Sequence, residues 1–358
     1  MPRQVVVVGG GAAGMFAAIG AAEGDRDLSV TVLEKGPDLL QKVGISGGGR
    51  CNVTHDCRDP RALVRHYPRG ERELRGMFAR FAAQDTIDWF AGRGVRLKTE
   101  ADGRMFPVTD RSETVIGTLI DAARTAGVSM LTRRTVRGAE RVGDGFRVHL
   151  DDGGTLDADR LLITTGGMRG AGARRLAESF GHTVADPVPS LFTFHIDDPR
   201  IAGLQGLSVA DAELRIVGER CLRNRGPVLI THAGVSGPGV LKLSALGARE
   251  LAARDYRFEV DVAWLVDLTA EQAEARLLED RDRHPRRRVV STVPEGLPRR
   301  LWERLVAAAG LPDGRVWAEI RRDERRRLAA QLTASRFRVA GKSLNKDEFV
   351  TCGGVVLK

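Results

Sequence analysis

The run Val5–Val8, followed by Gly9-Gly10-Gly11-Ala12-Ala13-Gly14, restricts the fold more than any other part of the chain. Four consecutive valines read as a strand buried on both faces, because only a strand covered from either side can dispense with alternation. The glycines satisfy G-x-G-x-x-G, with Gly9, Gly11 and Gly14 at the three fixed positions. The three positions serve, in order, a tight turn, close approach of backbone to a pyrophosphate, and close packing of a helix on the strand. Met15–Ala22, rich in Ala and apolar side chains, supplies that helix. Its N-terminus offers unpaired N–H groups and the positive end of a dipole to an anion. A second strand, Val30–Leu33, ends at Glu34, about 20 residues past the last glycine, where a carboxylate accepts a hydrogen bond from a ribose 2′-hydroxyl. This order predicts an α/β fold with a Rossmann-like dinucleotide-binding domain at the N-terminus.

A chain of 358 residues, 42% hydrophobic, has room for two or three domains with substantial cores. Its apolar runs all fall short of the ~20 residues that span a bilayer. Met1–Gln4 leads straight into the first strand, without the charged and apolar regions of a secretory signal, so a cytoplasmic location away from membranes is expected. Cys51, Cys57, Cys221 and Cys352 form no C-x-x-C pair and do not cluster with histidine, which argues against zinc and against a disulfide framework; no metal is expected. The net charge of +9 fits either arginine-rich solvated faces or attraction to a polyanion such as RNA. Basic residues are densest at Arg281–Arg288 and Arg321–Arg327, with Asp280, Asp282, Asp323 and Glu324 interleaved.

Beyond Leu39 comes Gln41–Thr54, in which Ser46-Gly47-Gly48-Gly49-Arg50-Cys51-Asn52 cannot form a regular element. Three glycines in a row suit close backbone approach, and Ser46, Arg50, Asn52 and Thr54 could donate to phosphate or flavin oxygens. Helices are expected around Glu71–Phe81, Gln84–Arg93 and Ser112–Ala126, the last closed by Gly127. Val95–Thr99 and Gly103–Pro107 read as a hairpin, Val128–Leu131 as a strand of the main sheet, and Thr135–Glu140, Phe146–Leu150 and Thr155–Asp157 as a meander. Arg160–Thr165 reads as a further strand running into Gly166-Gly167. From Val188 to about Arg338 the texture changes. Strands at Val188–Ile196, Leu214–Val217, Val228–Thr231 and Arg257–Val262 precede charged helices between Thr269 and Leu332, broken at His284-Pro285 and near Pro294–Pro298. Phe337–Ala340, Phe349–Thr351 and Gly353–Lys358 return to strand character. The expected division is 1–187 and 339–358 for a nucleotide-binding domain, with 188–338 inserted.

Six blocks resemble those of the BaiN/YhiN-like NAD(P)/FAD-dependent flavoproteins, also called the aminoacetone oxidase family. They are Val7–Gly14, Gln41–Asn52, Gly103–Pro107, Ile163–Gly167, Thr231–Pro238 and Val350–Val356, in family order over nearly the whole chain, with Ser-Gly-Gly-Gly-Arg-Cys-Asn the most specific. The resemblance implies FAD as the dinucleotide. The expected architecture is a glutathione-reductase-type FAD domain carrying an inserted β-barrel-like and helical domain. Carried over by position, Gly9, Gly11, Ala13 and Gly14 would face the pyrophosphate, and Glu34 and Lys35 the adenosine ribose. Ser46, Gly47, Gly48, Gly49, Arg50, Cys51 and Asn52 would follow the pyrophosphate and ribityl chain. Val136 would meet the adenine through its backbone, and Thr165, Gly166 and Gly167 would approach the adenosine side. Two departures stand out. Met168–Leu176 is shorter than the corresponding family loop. Members also continue beyond the position of Lys358 through a segment of the kind Gly-Leu-Tyr-Phe-Ala-Gly-Glu, so 339–358 is expected to be a truncated second part of the FAD domain.

The same resemblance implies an FAD-dependent oxidoreductase that uses NAD(P)H to reduce an activated C=C bond, in a small enone-type molecule or in uridine of ribosomal RNA. A flavin oxidase returning electrons to O₂, and a non-catalytic FAD- and RNA-binding protein, are the alternatives. The flavin carries the electrons, so the protein need supply little beyond position and one proton donor. His232, at the head of the Thr231–Pro238 loop, and Cys51 are the candidates, each set against a purely structural role. Arg104 and Phe106 are candidates for lining the substrate cleft.

Overall fold

The computed structural model describes residues 2–167, 170–343 and 350–357. The chain forms two compact units, Met1–Pro187 with Gly353–Lys358, and Val188–Cys352.

In the first unit the valine run is β1 (Arg3–Val8), followed by α1 (Ala12–Gly24) and β2 (Leu28–Leu33). Next come α2 (Gln41–Gly49), β3 (Thr54–His55), α3 (Pro60–Val64), α4 (Glu71–Phe78) and α5 (Ala83–Ala91). The expected hairpin is β4 (Leu97–Thr99) with β5 (Arg104–Pro107), and β3 adds a third strand through Thr54↔Met105. Then α6 (Ser112–Thr125) leads to β6 (Ser129–Leu131), the meander β7 (Val136–Val142), β8 (Gly145–Leu150) and β9 (Thr155–Ala158), and finally β10 (Arg160–Ile163) and α7 (Ala171–Glu178). Where the sequence suggested only a short loop at 168–176, helix α7 begins at Ala171; Met168 and Arg169 lie outside the described residues.

The main sheet has the order β10-β1-β2-β6, with all three pairings parallel. Val7 faces α1 and α6 in a core with Met15, Ile19, Val30, Val32 and Leu119. Val6 and Val8 face the meander, packing with Leu33, Val148 and Leu150. Burial on both faces is thus why this strand needs no polar alternation.

In the second unit β11 (Val184–Ser190) leads in from the first, followed by β12 (Thr193–His195), β13 (Ser208–Ile216), β14 (Arg223–Thr231), β15 (Gly234–Ser236), α8 (Pro238–Leu246), α9 (Ala248–Ala252) and β16 (Phe258–Ala263). Helices α10 (Ala270–Arg283), α11 (Arg299–Ala308) and α12 (Arg322–Thr333) follow, then β17 (Ser335–Val339), β18 (Gly341–Ser343) and β19 (Val350–Val355). The seven-stranded sheet runs β17-β16-β13-β14-β15-β12-β18. Its two edge strands, β17 and β18, are separated in the chain by Ala340 alone, whose N–H donates to the His195 carbonyl at 2.9 Å. A sheet whose edges are joined by one residue must curl on itself, which gives the barrel-like insert. Both strands pair within this sheet, so the return to the first unit expected at 339 falls instead at Gly353. The expected strand at 349–351 is β19; Phe349 itself lies outside the described residues.

Candidate functional site

Gly9 has φ +112, and a Cβ there would lie 2.5 Å from the Thr164 carbonyl oxygen. At Gly14 a Cβ would lie 1.9 Å from the Gly9 carbonyl oxygen and 2.6 Å from Thr164 Oγ1. Both glycines are therefore demanded by protein packing between the ends of β1 and β10. Gly11 differs. It is the N-cap of α1 in extended conformation, and a Cβ there would meet nothing within 4 Å. The helix start has no side-chain cap and no acidic residue in its first turn, which leaves its N–H groups available to an anion. Gly10, which the fixed positions of the pattern pass over, is buried; a Cβ there would lie 2.3 Å from Leu39 Cδ2.

Glu34 is half-buried at the end of β2. Its Oε2 accepts the Gly10 N–H at 2.8 Å and its Oε1 accepts the Gly36 N–H at 2.8 Å. The carboxylate thus ties the glycine turn to the end of β2. Each oxygen keeps a lone pair for a further donor, so the ribose role and this clamp are compatible. The Glu34 carbonyl accepts the Arg134 N–H at 2.9 Å, which brings the start of the meander, and Val136 two residues on, to the same strand end. Lys35 is exposed. On the opposite side of β1, Thr164 Oγ1 lies 3.0 Å from the carbonyls of Val8 and Gly9. The Thr165 hydroxyl is buried without a partner among the described residues, and Gly166 turns with φ +77. An orphaned buried hydroxyl is costly unless a ligand satisfies it.

α2 leaves helical geometry at Ser46, and Gly47, Gly48 and Gly49 all have positive φ. Arg50 returns to right-handed backbone, and Cys51 is left-handed again at φ +59. The Ser46 carbonyl accepts the N–H groups of Arg50 and Cys51, the latter at 3.0 Å, so those two donors close the loop on itself. Gly48 and Gly49 face open space. Gly47 sits on the hairpin, where a Cβ would lie 2.9 Å from Phe106 Cε1 and 2.9 Å from the Asn52 nitrogen. Phe106 is fully buried beneath this loop, with the Arg50 guanidinium 4.0 Å from its ring centre, so it supports the loop and cannot line a cleft. Arg104 is turned to Asp102 and Glu100.

The loop's polar side chains are engaged by protein. Ser46 Oγ donates to the Val43 carbonyl at 2.8 Å, and Arg50 Nη1 donates to Glu100 Oε1 at 2.6 Å. The Asn52 amide, oriented to donate, faces the carbonyls of Thr54 and Met105. Any donation to a cofactor from this loop therefore falls to backbone N–H groups other than those of Arg50 and Cys51. Asp110, paired with Lys98 and facing Arg50, is held below the usual carboxylate range by those cations. Cys51 is buried against Val43 and its neighbours in the first unit's core; burial pushes its thiol up, and a hydrogen bond with Ser46 opposes this. Such a thiol stays neutral at pH 7. His232 belongs to the second unit, exposed in the two-residue turn between β14 and β15.

The first unit thus brings Gly9, Gly11, Gly14, Glu34, Thr165 and Gly166 to the carboxyl ends of adjacent parallel strands, where a doubly wound sheet binds its ligand. An uncapped helix start, an open Gly11 and an orphaned hydroxyl fit the pyrophosphate and sugar of FAD. Neither the Gly10 packing nor the clamp made by Glu34 was read from the sequence; the doubled glycine before Gly11 was the available signal.

A family described as HI0933-like protein Rossmann domain matches residues 3–358. A protein named ribosomal RNA dihydrouridine synthase, from Escherichia coli, is 30% identical over 98% of this chain and 85% of its own length. A 3-dehydro-bile acid delta(4,6)-reductase from Clostridium scindens is 28% identical over 75% of this chain and 66% of its own. Among solved structures, glycine oxidase from Geobacillus kaustophilus aligns over 55% of this chain and 64% of its own, at 18% identity and a TM-score of 0.30. Among the described residues, no helix is long and apolar enough to cross a membrane.

Proposed function

The chain belongs to the HI0933-like Rossmann-domain family of FAD-dependent oxidoreductases, and on that premise we propose that it uses NAD(P)H to saturate an activated carbon–carbon double bond. Uridine in ribosomal RNA is the favoured substrate. The E. coli relative that spans almost the whole chain carries that activity in its name, and a net charge of +9 suits a polyanionic substrate. A small enone is the second reading, supported by the C. scindens relative.

FAD, when bound, would supply the two-electron hydride chemistry between the nicotinamide donor and the activated double bond. The chain's residues bind, orient and protonate. The N–H groups at the start of α1 take the pyrophosphate over Gly11, and Glu34 takes the adenosine ribose with the lone pairs its backbone clamp leaves free. Thr165 Oγ1 would gain the partner it lacks among the described residues, and Gly48 and Gly49, which face open space, would let the cofactor approach the backbone closely. One proton must reach the second carbon. Cys51, whose burial keeps the thiol protonated, and His232 in the second unit are the two candidate donors.

The observation that carries the reading is the open cradle at Gly11 beside an uncapped helix start. The test is anaerobic incubation of the FAD-loaded protein with NADPH or NADH and a uridine-containing ribosomal RNA fragment, followed by mass spectrometry. A gain of two hydrogens per modified uridine supports the proposal. Consumption of donor with peroxide formation, and no hydrogenation of RNA or of an enone, would favour the oxidase alternative and defeat it.

A further inference from the structure

The basic runs at 321–327 and 281–288 are the obvious places to seek a polyanion surface, but the first is largely consumed by internal pairing. Arg325 and Arg326 both reach Glu274, at 3.0 and 3.3 Å, and Arg327 reaches Asp323 at 2.8 Å. A different segment keeps its charge. Between Arg58 and Arg80 the sequence holds seven arginines against Asp59, Glu71 and Glu73. Arg58 is paired with Asp56 and Arg75 with Glu71. Arg61, Arg65, Arg72 and Arg80 are exposed, and among the described residues none of these four makes an ion pair.

The segment also presents apolar and aromatic groups to water. No residue of α4 is buried. Tyr67 is 42% exposed, Met77 65% and Phe81 40%. Tyr67 is braced by Phe78, with ring centres 5.4 Å apart, and Phe81 by Phe16 at 5.3 Å, so both rings are held while partly open. A groove in this segment is lined by Arg61, Val64, Arg65, Glu71 and Arg75. Unneutralised arginines interleaved with braced, half-open rings match what single-stranded nucleic acid needs: cations for phosphates and flat faces for bases. Scattered rings among that many arginines do not form the continuous apolar face that insertion into a bilayer requires.

We propose that α3 and α4, from Arg58 to Phe81, form a docking surface for single-stranded RNA, with Arg61, Arg65, Arg72 and Arg80 on phosphates and Tyr67 stacked on a base. The proposal extends the reading in which the reduced ring is a uridine carried on RNA, and it places the partner on the unit that carries the dinucleotide cradle. In chain order the surface follows directly from Cys51 through β3.

The experiment uses the full chain loaded with FAD and a labelled uridine-rich RNA 12-mer, with fluorescence anisotropy read across a salt series. The wild type should bind with an affinity that falls steeply with salt. Replacing all four residues (Arg61→Gln, Arg65→Gln, Arg72→Gln, Arg80→Gln) should weaken binding at least tenfold and flatten the slope of log K against log salt by about three, at ~0.7 per phosphate lost. Tyr67→Ala should weaken binding about tenfold with an unchanged slope. Both variants should retain FAD as the wild type does, since every changed side chain is exposed. An unchanged slope in the fourfold variant, wild-type affinity in Tyr67→Ala, or binding to anionic vesicles without binding to RNA would each overturn the proposal. Normal RNA binding without hydrogenation of uridine would leave the surface standing and remove the substrate reading alone.

Discussion

Replacing Gly11 and Gly14 by alanine, one at a time, separates a glycine kept for the cofactor from one kept for the fold. At Gly14 the added methyl would sit 1.9 Å from the Gly9 carbonyl oxygen and 2.6 Å from Thr164 Oγ1. The first neighbour is backbone, so α1 must move off the sheet, and overpacking of this kind costs about 1–3 kcal/mol or more. At Gly11, φ is −79 and ψ −175, and the methyl meets nothing within 4 Å. Alanine there lowers unfolded-state entropy, a gain of about 0.4–1 kcal/mol, and is a poorer N-cap than glycine by a similar amount, so apoprotein stability should stay within about 1 kcal/mol. The same methyl occupies the space over the helix start where the pyrophosphate must approach. Losing one charge-assisted hydrogen bond there, about 1.5–3 kcal/mol, weakens FAD about ten- to a hundredfold. The assay is urea unfolding of the apoprotein beside FAD titration. Gly14→Ala should fail the first, and Gly11→Ala should pass the first and fail the second. Wild-type FAD affinity in Gly11→Ala would refute the cradle; wild-type stability in Gly14→Ala would refute the packing argument.

Glu34→Gln keeps one carbonyl acceptor but sets an amide NH₂ against the Gly10 or Gly36 N–H, so the apoprotein should lose about 1–2 kcal/mol and FAD affinity about tenfold; equal values by denaturation and titration would remove the carboxylate from both roles. Gly48→Val forces a β-branched residue to φ +70 in open space, and the purified protein should be paler than Glu34→Gln; full flavin content would show that the Gly47–Asn52 loop lies away from FAD. Burial raises the Cys51 thiol above its ordinary value of 9.0, so the folded state holds this proton more tightly than the unfolded chain. The stabilisation is complete below the unfolded value and declines as pH rises above it. Urea midpoints should therefore fall more steeply between pH 8 and 10 in the wild type than in Cys51→Ala; parallel curves would show that the thiol is not held neutral by the fold.

The dinucleotide half of the fold was legible because its signals are local. Val5–Val8 declares a strand covered on both faces, and the spacing of Gly9, Gly11 and Gly14 declares a turn whose geometry admits few alternatives. Which glycines are held by packing and which is open was not legible, since that depends on Thr164 and Leu39, brought in by other segments. The clamp that Glu34 makes on the Gly10 and Gly36 N–H groups was hidden for the same reason. The side chains of Ser46, Arg50 and Asn52 looked available because composition shows donors and not the carbonyls and carboxylates that engage them. The segment after Arg338 was misread because strand propensity names no partner: β17 and β18 look alike whether they pair with the first unit or close the second unit's sheet. Charge density in the sequence does not show pairing either: Arg325–Arg327 meet Glu274 and Asp323, while Arg61, Arg65, Arg72 and Arg80 are exposed and make no ion pair among the described residues.

The most direct test of the central claim is anaerobic stopped-flow mixing of the FAD-loaded chain with NADPH and NADH, followed by admission of O₂. A reductase of activated double bonds should bleach rapidly at the flavin absorbance with at least one of the two donors, reoxidise slowly in O₂, and reoxidise fast when uridine-containing RNA is supplied. Rapid reoxidation by O₂ with stoichiometric peroxide, or no bleaching by either donor, would contradict it.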